Sequence, residues 1–483
     1  MRNAIVIGGL SLLAACDSSS SGPTCGEGTA LESGMCVATG SGSGDVCGTG
    51  TQLDTDGKTC VPNGDGTASA PTISLITPTK AGVTGFVLFE IDGTGFAGSN
   101  VTDLHVYFGD TTPGTGGEPG PCEAEIGTTT ATSVTGEVPP ACELNVSSVT
   151  LTTNVGMASI PFSYLGVFAA DGDGGDNLSI GSSGGDVYLI DPFAGLWFDL
   201  GPMADADLNL WGMTGIAFDS TGKLWGVSTG DSPGDIATGP QLVSLSFAGS
   251  SVTITAVGAL VDANDTVYSV TDIKFKGSTL YGWGVTFDLA GAAGQLVTID
   301  TTTGIVTPLG TAVAVPVPGA LVVDGRGTII VAAQGAAPDG FIGTTGEYDS
   351  VDPTTGALTS VATLDNTIFG TPVGAPINAM ARFGQAILAV IDNGTYGGFT
   401  GAGTTGEQLA TINTIGTPIV TPLFELPAQD GFQSQVDALD MPQPGTTIQL
   451  SLRGRKSHAL KPAANPNQAT AKTVAKHITK YSH

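Results

Sequence analysis

Histidine is nearly missing from this chain: of four in 483 residues, three lie in the last 32 and only His105 precedes them. A Ser-His-Asp triad, a histidine metal cluster and a histidine proton shuttle therefore have no residues to draw on over most of its length. Basic residues are scarce too, 15 Lys and Arg against 44 Asp and Glu, for a formal charge of -29. Phosphate-backbone binding needs clustered cations, so a nucleic-acid partner is excluded. The shortage is uneven, because Leu452 to His483 holds seven of the 15 and no acid, leaving eight basic against 44 acidic groups in residues 1–451. Charged residues total only 12%, and the helix formers Glu, Lys and Gln are few. What is plentiful is Gly, at 73, with much Thr, Val and Ser and 41% hydrophobic residues. That mixture suits extended β structure with frequent turns, in a chain long enough for two to four domains.

At the amino terminus Arg2 is a minimal charged region, and Ala4 to Ala15 is an apolar run too short to span a bilayer. Together they read as a cleavable export signal, residues 1–15. The order Leu13-Ala14-Ala15-Cys16 resembles the lipobox of bacterial lipoproteins, and the resemblance implies cleavage before Cys16 and lipid attachment there, with a membrane as partner. Asp17 resembles the inner-membrane retention signal of enteric bacteria, which leaves the choice of membrane open. Residues 16–70 then read as a Ser- and Gly-rich tether carrying two matching cassettes, CGEGTALESGMCV from Cys25 and CGTGTQLDTDGKTCV from Cys47. Six cysteines besides Cys16 in an exported protein read as disulfides. The cassette repeat favours Cys25 with Cys36 and Cys47 with Cys60, leaving Cys122 with Cys142. A zinc site is the rival, but these spacings lack the close ligand pairs of zinc motifs. The cassettes look like the small spacers of delta-proteobacterial surface lipoproteins.

Residues 71–165 alternate at strand length and break at Gly or Pro every eight to twelve residues, which indicates a β-sandwich of about seven strands. The order of Pro71, Ile76, Gly93, Gly95, Phe96, Phe108 and Tyr164 resembles the IPT/TIG immunoglobulin-like domain. The resemblance implies a turn at Gly93 and Gly95, a core filled by Phe96 and Phe108, and a role as spacer or protein-binding module.

Residues 166–451 repeat. LVTIDTTTGIVTPLG from Leu296 is two short alternating strands around a tight turn, and similar units begin at Asp186, Gln241, Gly346 and Glu407. Each is joined to a second strand pair such as GIAFDSTGKLWGVS from Gly215. Two hairpins in about 50 residues make a four-stranded unit, which suits a propeller blade better than a solenoid rung. In the turns Asp191, Asp300 and Asp352 can bond forward to the backbone while a Gly supplies positive φ. The array opens on an outer hairpin at Asp186 and ends on an inner one at Ala438, so Val436 to Ser451 is expected to complete the first blade, with Leu178 to Gly181 pairing beside it. That closes a ring of five blades. Six result if Gly166 to Ala170 is an inner strand of its own. The pattern resembles quinoprotein-like and YVTN-type surface propellers. The fold class is therefore all-β, a sandwich followed by a propeller.

No catalytic residue is assigned. Asp272, Asp324 and Asp437 fall on or near inner strands, where glycosidase-like carboxylate chemistry would need them. Asp171, Asp173 and Asp176 alternate with glycine and form a weak candidate for Ca2+, with an acidic linker as the plainer reading; no other cofactor is indicated. Trp197, Trp211, Trp225 and Trp283 read as exposed platforms for sugars, although the last two suit blade packing. Residues 452–483 read as a basic, disordered tail in which Gln468 to Tyr481 can form a short amphipathic helix. The reading as a whole is a lipid-anchored cell-surface protein presenting a propeller to an extracellular protein or glycan. The alternatives are a surface carbohydrate-active enzyme and a passive coat component.

Overall fold

The computed structural model describes four short strands within 29–62 and residues 69–462 apart from 173–184, 335–345, 365–376, 392–407, 427–435 and shorter stretches. Within the described residues every regular element is a strand. Thr29–Glu32 pairs with Met35–Ala38, and Thr51–Leu53 with Cys60–Pro62, so each cassette holds one hairpin.

Two four-stranded sheets follow, eight strands where the sequence suggests about seven. One orders Thr72–Thr77, Leu88–Thr94, Ser133–Glu137 and Glu125–Thr129; the other orders Lys80–Gly82, Gly156–Leu165, Ser147–Thr153 and His105–Phe108. Alternation puts one face of each sheet inward. Phe89 meets Phe108 across the core with ring centroids 5.2 Å apart. Phe96 and Phe108 are both buried, as expected of them, and Cys122 is bonded to Cys142.

Beyond Leu165 the chain enters a ring of five antiparallel four-stranded blades. Their inner strands are Met213–Phe218, Ser269–Lys276, Val317–Val323, Ile377–Phe383 and Val436–Asp440, and each lies beside the next around a closed circle. We number the blades one to five in that order. These strands are covered on both faces and largely buried, and residues such as Ile216, Ile273 and Leu321 have no exposed surface.

Blade five is completed by both ends of the array, with its inner strand from the carboxyl-terminal side as expected and a different segment beside it. Val436–Asp440 is its inner strand and comes from the carboxyl-terminal side. Val167–Asp171 pairs with it as the second strand, followed by Asp186–Asp191 and Leu196–Ala204. Residues 166–170 thus make no sixth blade. Thr447–Ile448, expected on an inner strand, pairs instead with Leu144–Asn145 beside the sandwich. Leu178 to Gly181 lies outside the described residues.

Part of the stretch read as a disordered tail is strand. Ser457–Ala459 pairs with Leu196–Phe198 on blade five, and Lys461–Pro462 with Phe424–Glu425 on blade four, so this segment spans two outer edges. Covering such edges removes open hydrogen-bonding rows. Residues 463–483, including the Gln468 to Tyr481 helix, lie outside the described residues.

The turn chemistry is as the repeat suggests. Asp300 Oδ1 accepts the N–H groups of Thr302 and Thr303 at 2.7 and 3.2 Å, and Gly304 closes the turn at φ +79°. Asp352 and Asp191 accept forward backbone N–H groups in the same way in blades three and five. Such a turn can also be a blade contact. At Gly310, the last residue of the VTPLG motif, a Cβ would collide with the Thr355 carbonyl of the next blade's turn.

Candidate functional site

Between blades the inner strands are not paired to one another, so side chains do much of the joining. Asp272 on blade two is fully buried; its Oδ2 accepts the N–H of Leu321 on blade three at 2.8 Å. Lys274, two residues on and on the same face, sends Nζ to Asp272 Oδ1 at 2.6 Å, to the Ile273 carbonyl at 2.9 Å and to the Ile216 carbonyl of blade one at 3.2 Å. Asp440 on blade five accepts the Phe218 N–H of blade one at 2.7 Å. One buried Asp-Lys-Asp cluster therefore ties blades five, one, two and three together.

Burial sets the charge state of this cluster. Desolvation raises the Asp272 carboxyl to about 7, although Lys274 and two backbone N–H groups pull it down. Desolvation likewise raises Asp440 to about 6, opposed by Lys274 and by backbone donors.

The other carboxylates read as candidates are also engaged. Asp324 is buried; its Oδ1 takes the N–H groups of Arg326 and Thr328, each at 2.8 Å, and its Oδ2 pairs with the Arg326 guanidinium at 3.1 Å. Asp437 Oδ2 accepts the Gly172 N–H at 3.1 Å. The structure thus brings Asp272 and Asp440 around one ammonium and uses Asp324 and Asp437 to fasten a turn and a strand end.

At the carboxyl ends of the inner strands lies a cavity of about 480 Å³. Blades two to five contribute Lys274–Gly277, Val322–Asp324, Arg382–Gly384 and Asp440–Pro442, and the sandwich contributes Lys80, Ser163 and Leu165. Leu165, Val323 and Met441, each part-exposed, give it an apolar floor. The cavity is a joint product of sandwich and ring, and Asp191 fixes their relation. Its carboxylate has no exposed surface; Oδ1 holds its own turn, while Oδ2 accepts the Thr84 N–H at 3.0 Å and the Thr84 hydroxyl at 2.6 Å. Gly82 makes room, since a Cβ there would overlap that carboxylate.

Lys80, Lys274, Lys276 and Arg382 are not among the residues that the acid-rich sequence singles out. The available signal was rarity: few cations precede the tail, and Lys274-Phe275-Lys276 places two on one face of a strand.

The remaining expectations meet different outcomes. Cys16, Cys25 and Cys47 lie outside the described residues, and Cys36 and Cys60 sit on cassette strands. Asp171 ends the second strand of blade five, while Asp173 and Asp176 lie outside the described residues. Among the described residues no group of three or more His, Cys, Asp or Glu is placed to hold a metal ion. Trp211, expected to be exposed, is buried with its Nε1 toward Asp205, because it packs under the outer strands of blade five beside Met203. Trp197 is half-buried and stacked on His458 at 4.7 Å, covered by the segment that crosses the blade edge. Trp225 and Trp283 are core residues.

No family model matches the chain. No curated protein matches it either. Among solved structures it is similar to a DUF4784 family protein from Bacteroides caccae, at 10% identity over 76% of this chain and 98% of that one, with a TM-score of 0.28. It is also similar to a gluconolactonase from Xanthomonas campestris, at 11% identity over 49% and 71%, TM-score 0.30. A third likeness is to SGBP-B from a complex xyloglucan utilization locus in Bacteroides uniformis, at 14% identity over 36% and 44%, TM-score 0.17. At these values the likenesses carry no argument about function, and the propeller rests on the strand pairing described above.

Proposed function

We propose that this chain is a lipid-anchored surface protein that binds an extracellular ligand at the junction of sandwich and propeller. The observation that carries the reading is the engagement of Asp272, Asp324, Asp437 and Asp440 in holding the ring. A carbohydrate-active enzyme needs two carboxylates free to face a glycosidic bond. Here they bond backbone N–H groups, the buried Lys274 and the Arg326 guanidinium, while the cavity at the sandwich junction has the size and apolar floor of a small-ligand site. The Leu13-Ala14-Ala15-Cys16 sequence supports the anchor, and the immunoglobulin-like character of the sandwich belongs to this same reading. In it the sandwich is part of the binding platform, not a passive stalk, because three of its residues wall the cavity.

Fractionation of cells expressing the parent and Cys16→Ser proteins tests the anchor: the parent is expected in the membrane fraction and the variant in the soluble or secreted one. Membrane retention of Cys16→Ser contradicts the lipid attachment. A glycan array probed with the Cys16→Ser protein tests the binding role. Steady release of reducing sugar from a bound glycan would instead favour the enzyme.

A further inference from the structure

Between Pro71 and Leu452 the chain has six basic residues, Lys80, Lys223, Lys274, Lys276, Arg326 and Arg382. Four of them line the cavity at the junction, and a fifth, Arg326, is ion-paired with Asp324 in its wall. In a body where acids outnumber bases 44 to eight, that concentration inverts the local charge. The carboxylates of the lining do not cancel it. Asp324 is paired with Arg326, and Asp440 is buried, accepts the Phe218 N–H and lies in the field of Lys274, whose three donors are all spent inside the protein. The other cations of the lining are Lys80 from the sandwich, Lys276 from blade two and Arg382 from blade four, and the last two carry the argument. Lys276 is half-buried and makes no ion pair among the described residues; Arg382 is exposed, sends Nε to the Gly384 carbonyl at 3.3 Å and makes no ion pair among the described residues.

Like charges converging on one cavity repel, and an oxyanion among them reverses the sign of that interaction. We infer that the cavity binds a small ligand bearing a carboxylate or phosphate, a sugar acid or sugar phosphate, with the anionic group between Lys276 and Arg382. The apolar floor of Leu165, Val323 and Met441 takes the face of the ring. The net acidic charge of the protein repels long polyanions, with a reach of about 8 Å at physiological salt, so the ligand is a short chain or a terminal unit. This inference rests on the junction being the binding site of the surface protein proposed above.

The test is calorimetric titration of the full-length Cys16→Ser protein with galacturonate, glucose 6-phosphate and glucose. At least one of the two anions is expected to bind saturably and glucose not to, the responding anion identifying carboxylate or phosphate as the preferred group. Lys276→Gln and Arg382→Gln each weaken binding about three- to tenfold, and more than tenfold together. Lys223→Gln, on a charge outside the cavity, leaves it unchanged. All three positions are at least partly exposed and the substitutions keep their polarity, and affinities are compared between proteins of equal melting temperature. The inference is overturned if neither anion binds at millimolar concentration, or if the double variant binds as the parent does. Capture of a neutral glycan that survives the double substitution would overturn it and leave the surface-binding role intact. Anion binding by a protein that fractionates with the cytoplasm would uphold the inference and remove the surface role.

Discussion

Lys274 is the residue on which the centre of the ring turns. Replacing it with Met leaves Asp272 and Asp440 buried without a counter-charge, and breaking a buried pair from one side costs about 3–5 kcal/mol. Lys274→Met should therefore lower the denaturant midpoint markedly, while Lys274→Met with Asp272→Asn should recover part of the loss. A double variant no better than the single would show that the pair is not coupled. The same cluster sets a pH dependence. Asp272 and Asp440 titrate near 7 and 6, above the ordinary carboxylate value, so the folded state holds their protons more tightly than the unfolded chain does. Their contribution is fully present below about pH 4 and is lost as pH rises through 6 and 7. Asp219 behaves oppositely: against desolvation that raises it, hydrogen bonds from Thr221, Trp225 and backbone N–H groups hold it below the ordinary value. Its contribution therefore fades as pH falls through the acid range. The melting temperature should peak at about pH 4 and fall from there towards pH 7. A maximum above pH 7 would contradict the assignment.

At the scale of the element, the blade is built of strand pairs closed by Asp turns, and the glycines flanking those turns can touch the next blade. Gly310 has φ +74° and faces the Thr355 carbonyl, whereas Gly239 has the same φ with nothing within 4 Å of a would-be Cβ. Gly239→Ala should cost about 1 kcal/mol for backbone strain alone. Gly310→Ala should cost clearly more, because the two blades must also part; chemical denaturation of the pair measures the difference. Equal losses would mean that the turn contact yields freely. The Asp turns were legible in the sequence because their bonds run only two or three residues forward. The partner of Gly310 was not, since Thr355 lies in another repeat.

At the scale of the molecule, the ring closes on one carboxyl-terminal strand, and one buried carboxylate, Asp191, ties it to the sandwich at Thr84. Thr84→Val removes the hydroxyl that Asp191 accepts at 2.6 Å and should cost about 1.5–3 kcal/mol. The loss should reach the cavity, because Lys80 lies on the strand just before Thr84. Weaker anion binding in Thr84→Val, at a temperature where both proteins are folded, is the expected result. Unchanged affinity would show that the sandwich does not position Lys80. Ending the chain at Gln435 deletes Val436–Asp440 and leaves Val167–Asp171 without its inner partner. That truncated chain should lose cooperative unfolding, and a single sharp transition at the parent temperature would argue against closure by this strand.

The all-β class, the repeat of about five four-stranded units and the Asp-Gly turns were determined by the sequence itself, because alternation and turn chemistry act between near neighbours. So was the pairing of Cys122 with Cys142, once the cassettes had claimed the other four. The assignment of Val167–Asp171 to the second place in blade five, the burial of Trp211 and the use of 457–462 as an edge cover came only with the tertiary structure. So did the gathering of Lys80, Lys276 and Arg382, which come from three separate parts of the chain and meet at one cavity. Most of these depend on segments far apart in the chain, and local patterning carries no information on which distant edge or charge a residue will face.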